Sequence, residues 1–240
     1  MLERTLEPEV MDSAQDALED NRMDHRAVNV KFVDEFLQFL SDNNKRLRQS
    51  EDPLFEDLED EPDIVAGLLD VGTGTALIPI ELCKRNPEVR VMAIDLAVSM
   101  LDLAVQNVDI AGFRHQIQLA QVDAKDSGYE DEMFDAVISN SIIHHIPDPA
   151  TTISEMIRTT RNGGAIFVRD LMRPDSAEKV DSLVETYAGD ESEYSRSLFG
   201  ASLHASLSLE EVRELVARFG IDPESVTASS DRHWTWATIR

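Results

Sequence analysis

The chain has 240 residues, with 47 Asp and Glu against 22 Lys and Arg, for a formal net charge of −25 at pH 7. Nucleic-acid backbones and anionic membranes draw clustered Lys and Arg, so this balance argues against either as the main partner. The length fits one domain with an elaboration. A single cysteine, Cys83, cannot form an internal disulfide, and it reads as a small buried apolar residue. Residues 1–30 are acidic and lack the apolar core of a secretory signal, and no apolar run approaches membrane-spanning length. A reducing, cytoplasmic setting is expected.

In chain order, residues 1–24 are polar and acidic, with a short helix expected around Ser13–Asp20. Asp24 is placed to cap a helix running roughly from His25 to Leu40. Val28, Phe32, Phe36, Phe39 and Leu40 form one apolar stripe at helical spacing, expected to pack on a sheet layer. Residues 41–62, rich in Asp, Glu and Asn with Pro53, read as a mobile acidic connection carrying one apolar patch at Leu54-Phe55.

A short apolar strand follows and ends in Leu69-Asp70-Val71-Gly72-Thr73-Gly74, with the helix-like segment Leu77–Cys83 after it. A glycine turn between strand and helix lets backbone approach a ligand closely. About 25 residues on, Val89–Asp95 reads as a second strand ending in a carboxylate, placed to accept from the two hydroxyls of a ribose. The third glycine of a dinucleotide loop is missing. Asp70, two residues before Gly72, would repel a phosphate and attract a cation.

At these residues the chain resembles the class I S-adenosylmethionine-dependent methyltransferases, whose cofactor has a ribose and an ammonium but no phosphate. The resemblance continues in order. Ile117–Ala124 is similar to the third strand, Phe134–Asn140 to the fourth and Arg161–Asp170 to the fifth. It implies an α/β fold: a Rossmann-like, mainly parallel seven-stranded sheet with an antiparallel last strand, helices on both faces and an N-terminal helical cover. It implies S-adenosyl-L-methionine as cofactor, held by Asp70, Gly72, Thr73, Gly74, Asp95, Leu96, Asp123, Ala124 and Asn140. Residues 1–63 are then cover and linker, and residues 64–240 the methyltransferase domain.

His144 and His145 leave the fourth strand at its ligand-binding end and are the candidate catalytic residues, able to take a proton near neutral pH. Their adjacency argues against a shared metal ion, and no metal site is expected. Asp170 and Arg173, after the fifth strand, and Arg196 are candidates for binding a small-molecule acceptor. Met23 and His25, with Asp24 and Asn29, would join them if the N-terminal segment closes as a lid. Residues 176–220 read as two or three helices, the last capped by Ser208 with Glu211 as its capping-box partner. Ser225–Ser230 and His233–Ile239 read as a closing strand pair. The expected activity is methyl transfer by in-line displacement. The alternatives are transfer of a modified methyl group, for which Arg169, Arg173 and Arg196 would supply an anion pocket, or a non-catalytic regulatory role.

Overall fold

A computed structural model describes residues 2–8, 12, 26–49 and 63–240. The short helix expected near Ser13–Asp20, the Asp24 cap, the candidate acceptor residues Met23 and His25, and most of the acidic connection lie outside these residues.

Helix α1 spans Arg26–Asp42. Its stripe buries Phe32, Val33, Phe36 and Leu40, and Phe32 meets Phe167 edge-on at 5.2 Å between ring centroids. Phe36 and Phe39 flank the same ring, so the expected packing of this face on a sheet strand is observed. The chain then differs from the sequence expectation. Lys45–Leu47 forms strand β1, paired in parallel with β2, Asp63–Val65. Lys45 is buried against Asp63, at 2.5 Å. This three-residue pairing is too short to leave a periodic signal.

The main sheet is built from β3 (Gly67–Val71), β4 (Arg90–Asp95), β5 (Ile117–Gln121), β6 (Phe134–Asn140), β7 (Thr160–Leu171), β8 (Val226–Ala228) and β9 (His233–Ile239), in the order β5-β4-β3-β6-β7-β9-β8. The pairs β3/β4, β3/β6 and β4/β5 are parallel, and β8/β9 is antiparallel. The centres of β3 and β6 are apolar and buried at Leu68, Leu69, Ala136, Val137 and Ile138, as parallel strands covered on both faces require. Helices α2 (Leu77–Arg85), α3 (Val98–Ala111) and α4 (Pro149–Thr159) connect successive strands, and α5 (Ala177–Ala188), α6 (Glu193–Ala205) and α7 (Leu209–Ala217) precede the last two. The chain leaves β3 toward β4 on one side, while β6 pairs on the other. The carboxyl end of β3 is therefore a topological switch point, where open α/β sheets bind ligands.

Two compact units divide the chain. One comprises Met1–Val10, Asn140–Ser154 and Val168–Ala237, and the other Met11–Ser139, Glu155–Phe167 and Thr238–Arg240. In the second, Asp135 of β6 accepts from the backbone amides of Ala66 and Gly67, both at 2.9 Å, and from Arg161 at 2.8 Å. Cys83 is buried, and burial pushes its thiol up to about 12. In the first unit, Ser208 and Glu211 cap α7 reciprocally, as its sequence spacing indicates. Among the described residues no helix is long and apolar enough to cross a membrane.

Candidate functional site

In the larger unit the glycine loop after β3 turns through positive φ at Gly72 (72°) and Gly74 (55°). The amides of Gly72 and Thr73 both donate to the Ile94 carbonyl, at 2.9 and 2.8 Å, which ties the loop to the end of β4. A Cβ on Gly74 would meet nothing within 4 Å, so the loop presents open space there. Ala76 is also left-handed, with φ 64°, and precedes α2 without a side-chain cap. A non-glycine residue in this region carries strain of a kind concentrated at ligand sites, and an uncapped helix start leaves amides that a ligand can use.

Asp95 ends β4. Its Oδ2 accepts from Gly74 N at 2.8 Å and its Oδ1 from Ala97 N at 2.9 Å. The carboxylate expected to hold a ribose thus also holds the glycine loop. Leu96 follows and is half-buried. Asp123, after β5, accepts from Lys125 N at 2.9 Å and pairs with Lys125 Nζ at 3.1 Å; Ala124 beside it is half-buried.

Asp70 is the electrostatic anomaly of this unit. It is only 2% exposed, and its Oδ2 has no hydrogen-bond partner. Burial, with the nearby Asp95 carboxylate adding to it, pushes its pKa up to about 7. The Thr73 hydroxyl tempers the shift without reaching hydrogen-bonding geometry. A buried acceptor oxygen without a donor is the partner that a ligand N–H or ammonium requires. The residues present therefore fit the cofactor that the sequence resemblance implies.

The smaller unit holds the histidines. Ile143–His145 forms a single 3₁₀ turn after β6, entered through Ser141 at φ 61°. Asp170 of β7 fixes this turn. Its Oδ2 accepts from Ile143 N at 2.5 Å and from His144 N at 3.2 Å, and its Oδ1 lies 2.5 Å from His144 Nδ1. Leu171 N donates to the same Oδ1 at 2.6 Å. His144 is 4% exposed. Burial lowers its pKa, but the Asp170 carboxylate outweighs this and leaves the net shift upward. For Asp170, burial raises the pKa and the imidazole more than reverses it.

Glu7 completes the cluster. Its Oε1 lies 3.1 Å from His145 Nδ1 and 3.6 Å from His144 Nε2, and Ser202 Oγ donates to it at 3.1 Å. Burial pushes the Glu7 carboxyl up, and His145 with His144 brings it below its ordinary range. The His145 Nδ1 is buried and meets no hydrogen-bond geometry, although Glu7 Oε1 lies 3.1 Å away. Although adjacent in sequence, the two histidines bring ring nitrogens near one point. The 3₁₀ turn sets the two rings 4.1 Å apart and tilted by 37°, and both offer a nitrogen to one carboxylate. Sequence reasoning missed Glu7, an unremarkable acid in an acidic segment with no local motif.

The remaining candidates sit as follows. Asn140 is the last, half-buried residue of β6. The buried guanidinium of Arg173 donates to the Ser206 carbonyl at 3.0 Å and to Glu211 at 2.6 Å. Arg196 donates to the Gly189 carbonyl and to Glu185, each at 2.8 Å. Arg169 donates to Thr235 Oγ1 at 3.0 Å. These three guanidinium groups are engaged within the fold rather than gathered into an anion pocket.

Residues 69–168 match the family model described as a methyltransferase domain, and the fold is like that of a solved S-adenosylmethionine-dependent methyltransferase. The chain is 32% identical over 132 residues to a phosphatidylethanolamine N-methyltransferase from Cereibacter sphaeroides, covering 53% of this chain and 64% of the relative. It is 31% identical over 108 residues to a demethylmenaquinone methyltransferase from Porphyromonas gingivalis, covering 45% of this chain and 44% of that one. The chain thus spans less than two thirds of the length of either. The crystal structure of an S-adenosylmethionine-dependent methyltransferase from Aquifex aeolicus superposes with a TM-score of 0.64 at 14% identity, covering 94% of this chain and 97% of that one. At that identity the likeness is one of fold.

Proposed function

We propose that this chain catalyses S-adenosylmethionine-dependent methyl transfer to a small-molecule acceptor in a reducing cytoplasm. The observation that carries the reading is Asp70, a buried carboxylate with an unpartnered oxygen beside a positive-φ glycine loop. Asp95 supports it as a carboxylate at the end of β4 that holds the glycine loop through Gly74. One relative methylates, by name, the nitrogen of phosphatidylethanolamine and the other demethylmenaquinone, so the support is for methyl transfer and not for one acceptor. The division into a cover and linker over residues 1–63 and a methyltransferase domain over 64–240 belongs to the same proposal.

When bound, the cofactor supplies a methyl group already activated on a sulfonium. The protein's own task is to hold, orient and exclude water. Asp70 compensates positive charge, Asp95 fixes the loop and the hydroxyls, and Asp123 with Ala124 receives the base. We assign the acceptor side to the histidine turn. His145, 18% exposed against 4% for His144, is the ring that meets the acceptor, and His144 with Asp170 positions it. In His145→Ala, turnover should fall more than S-adenosylhomocysteine affinity.

Calorimetric titration with S-adenosylmethionine, S-adenosylhomocysteine and NAD tests the cofactor assignment. The first two should bind and NAD should not. In Asp95→Ala, losing charge-assisted bonds should weaken binding by about 1.5–3 kcal/mol, roughly ten- to a hundredfold. Tight NAD binding without a response to S-adenosylhomocysteine would overturn the reading.

A further inference from the structure

We propose that Glu7, His144 and His145 form a binding site for one divalent transition-metal ion of the zinc class. The inference stands on the geometry of the smaller unit and does not rest on the methyl-transfer reading. One ligand atom from each residue lies within 4.8 Å of the other two. Glu7 Oε1 is 3.1 Å from one imidazole nitrogen and 3.6 Å from the other. Metal–nitrogen and metal–oxygen bonds of about 2.0–2.2 Å place tetrahedral ligand atoms roughly 3.3–3.5 Å apart. The observed separations bracket that spacing.

Three further features separate this cluster from a simple ion pair. The Glu7–His144 separation is too long for a hydrogen bond. The Nδ1 of His145 is buried with no hydrogen-bond partner, an orphaned donor or acceptor that costs stability unless something fills the place. Finally, the support expected around a metal ligand is already built. A metal-bound histidine typically donates its other ring N–H to a carboxylate. Here His144 presents Nδ1 to Asp170 at 2.5 Å, which leaves Nε2, 3.6 Å from Glu7 Oε1, to act as the ligand atom. Asp170 is itself held by three backbone amides, and Glu7 accepts from Ser202. Arg4 lies close but directs its guanidinium at the backbone carbonyls of His144, Ile146 and Ala205, not at the ring nitrogens.

Two imidazoles and one carboxylate select zinc, cobalt, nickel or ferrous iron over magnesium or calcium, which prefer all-oxygen shells. Three protein donors leave at least one coordination position for water or for a ligand heteroatom.

The test uses the full chain after chelator treatment and dialysis. Zn²⁺ is titrated calorimetrically, and Co²⁺ is followed by its visible absorption, whose intensity and position report coordination number and geometry. One ion per chain is expected. Glu7→Gln, nearly isosteric, and His145→Ala should each weaken binding by at least tenfold, and Asp170→Asn by about 10–100-fold through misorientation of His144. His115→Ala, at an exposed histidine elsewhere, should leave binding unchanged. Thermal melts of each variant establish that it is folded. If His145→Ala fails to fold, Glu7→Gln decides. The proposal is overturned if the wild-type chain binds neither ion, or if it binds with an affinity that Glu7→Gln leaves intact. Cofactor titration in the metal-free chain reads the methyl-transfer assignment separately, so the two can fail independently.

Discussion

Asp70 links the chemistry of one side chain to a measurable pH dependence. Its folded pKa of about 7 lies above the ordinary value of 3.8, so the native state retains a proton that the unfolded chain has already lost. Stability attributable to this group is therefore full below the unfolded value, falls as pH rises between about 4 and 7, and is level above that. Asp70→Asn removes the buried charge, and the ligand-free protein should gain roughly 2–4 kcal/mol at pH 8 while little changes at pH 4. Denaturant unfolding at the two pH values checks this. A cationic ligand reverses the balance, because it favours the ionised form. Affinity for S-adenosylmethionine should rise as pH climbs from 6 to 8 in the wild type and be weak and nearly flat in Asp70→Asn. Equal pH slopes in the two proteins would show that Asp70 does not face the ligand's charge. The position of Asp70 was legible in the sequence, through its spacing from Gly72 and Gly74. Its isolation was not, since burial and the lack of a donor are products of tertiary packing.

Among the elements, legibility followed periodicity. The strands around Leu68–Val71, Arg90–Asp95 and Phe134–Asn140 and the stripe of α1 announced themselves through apolar runs and helical spacing. Strand β1 did not, because three residues carry no period and its partner lies beyond residues 50–62. The fate of Arg173 and Arg196 was equally hidden. Their partners, Ser206 with Glu211 and Gly189 with Glu185, come from the packing of helices that no local rule specifies. The Glu7 cluster is the extreme case, with a ligand candidate 137 positions before His144. One element feature is sharp enough for a stability test. A Cβ at Gly164, in β7, would meet Thr160 Cγ2 at 2.7 Å and the carbonyl oxygens of Arg161 and Asp135 at 2.8 and 2.9 Å. Two of these are backbone atoms within the sheet and cannot yield as a flexible side chain does. Gly164→Ala should cost about 1–3 kcal/mol, as overpacking does in other cores. It should leave cofactor affinity per folded molecule unchanged. A melting temperature equal to that of the wild type would show that β7 shifts freely, against the pairing that surrounds it.

At the scale of the whole molecule the governing quantity is charge. A net −25 on 240 residues sets up self-repulsion that compactness worsens and added salt relieves. Two effects of salt compete. Screening weakens exposed attractions such as Lys31–Glu35, Lys84–Glu81 and Arg232–Asp231, each worth about 0–1 kcal/mol at most. It also weakens repulsion among the excess acids, which outnumber the basic residues by 47 to 22. Pairs closer than a Debye length keep most of their attraction, and that length falls from about 30 Å at 0.01 M to about 3 Å at 1 M. A buried pair such as His144–Asp170 is screened least. Repulsion among many separated like charges is thus lost earlier than the close contacts are, and the net effect is stabilising. The melting temperature should rise on adding sodium chloride over this range at pH 7. The same titration nearer the sequence pI of about 4.4 should show a much smaller slope, because protonated carboxylates leave little repulsion to screen. That second measurement separates screening from a general salting-out of apolar surface, which would act alike at both pH values. A melting temperature that falls with salt at pH 7 would mean that the surface ion pairs, and not the excess of acid, dominate the electrostatics of this fold.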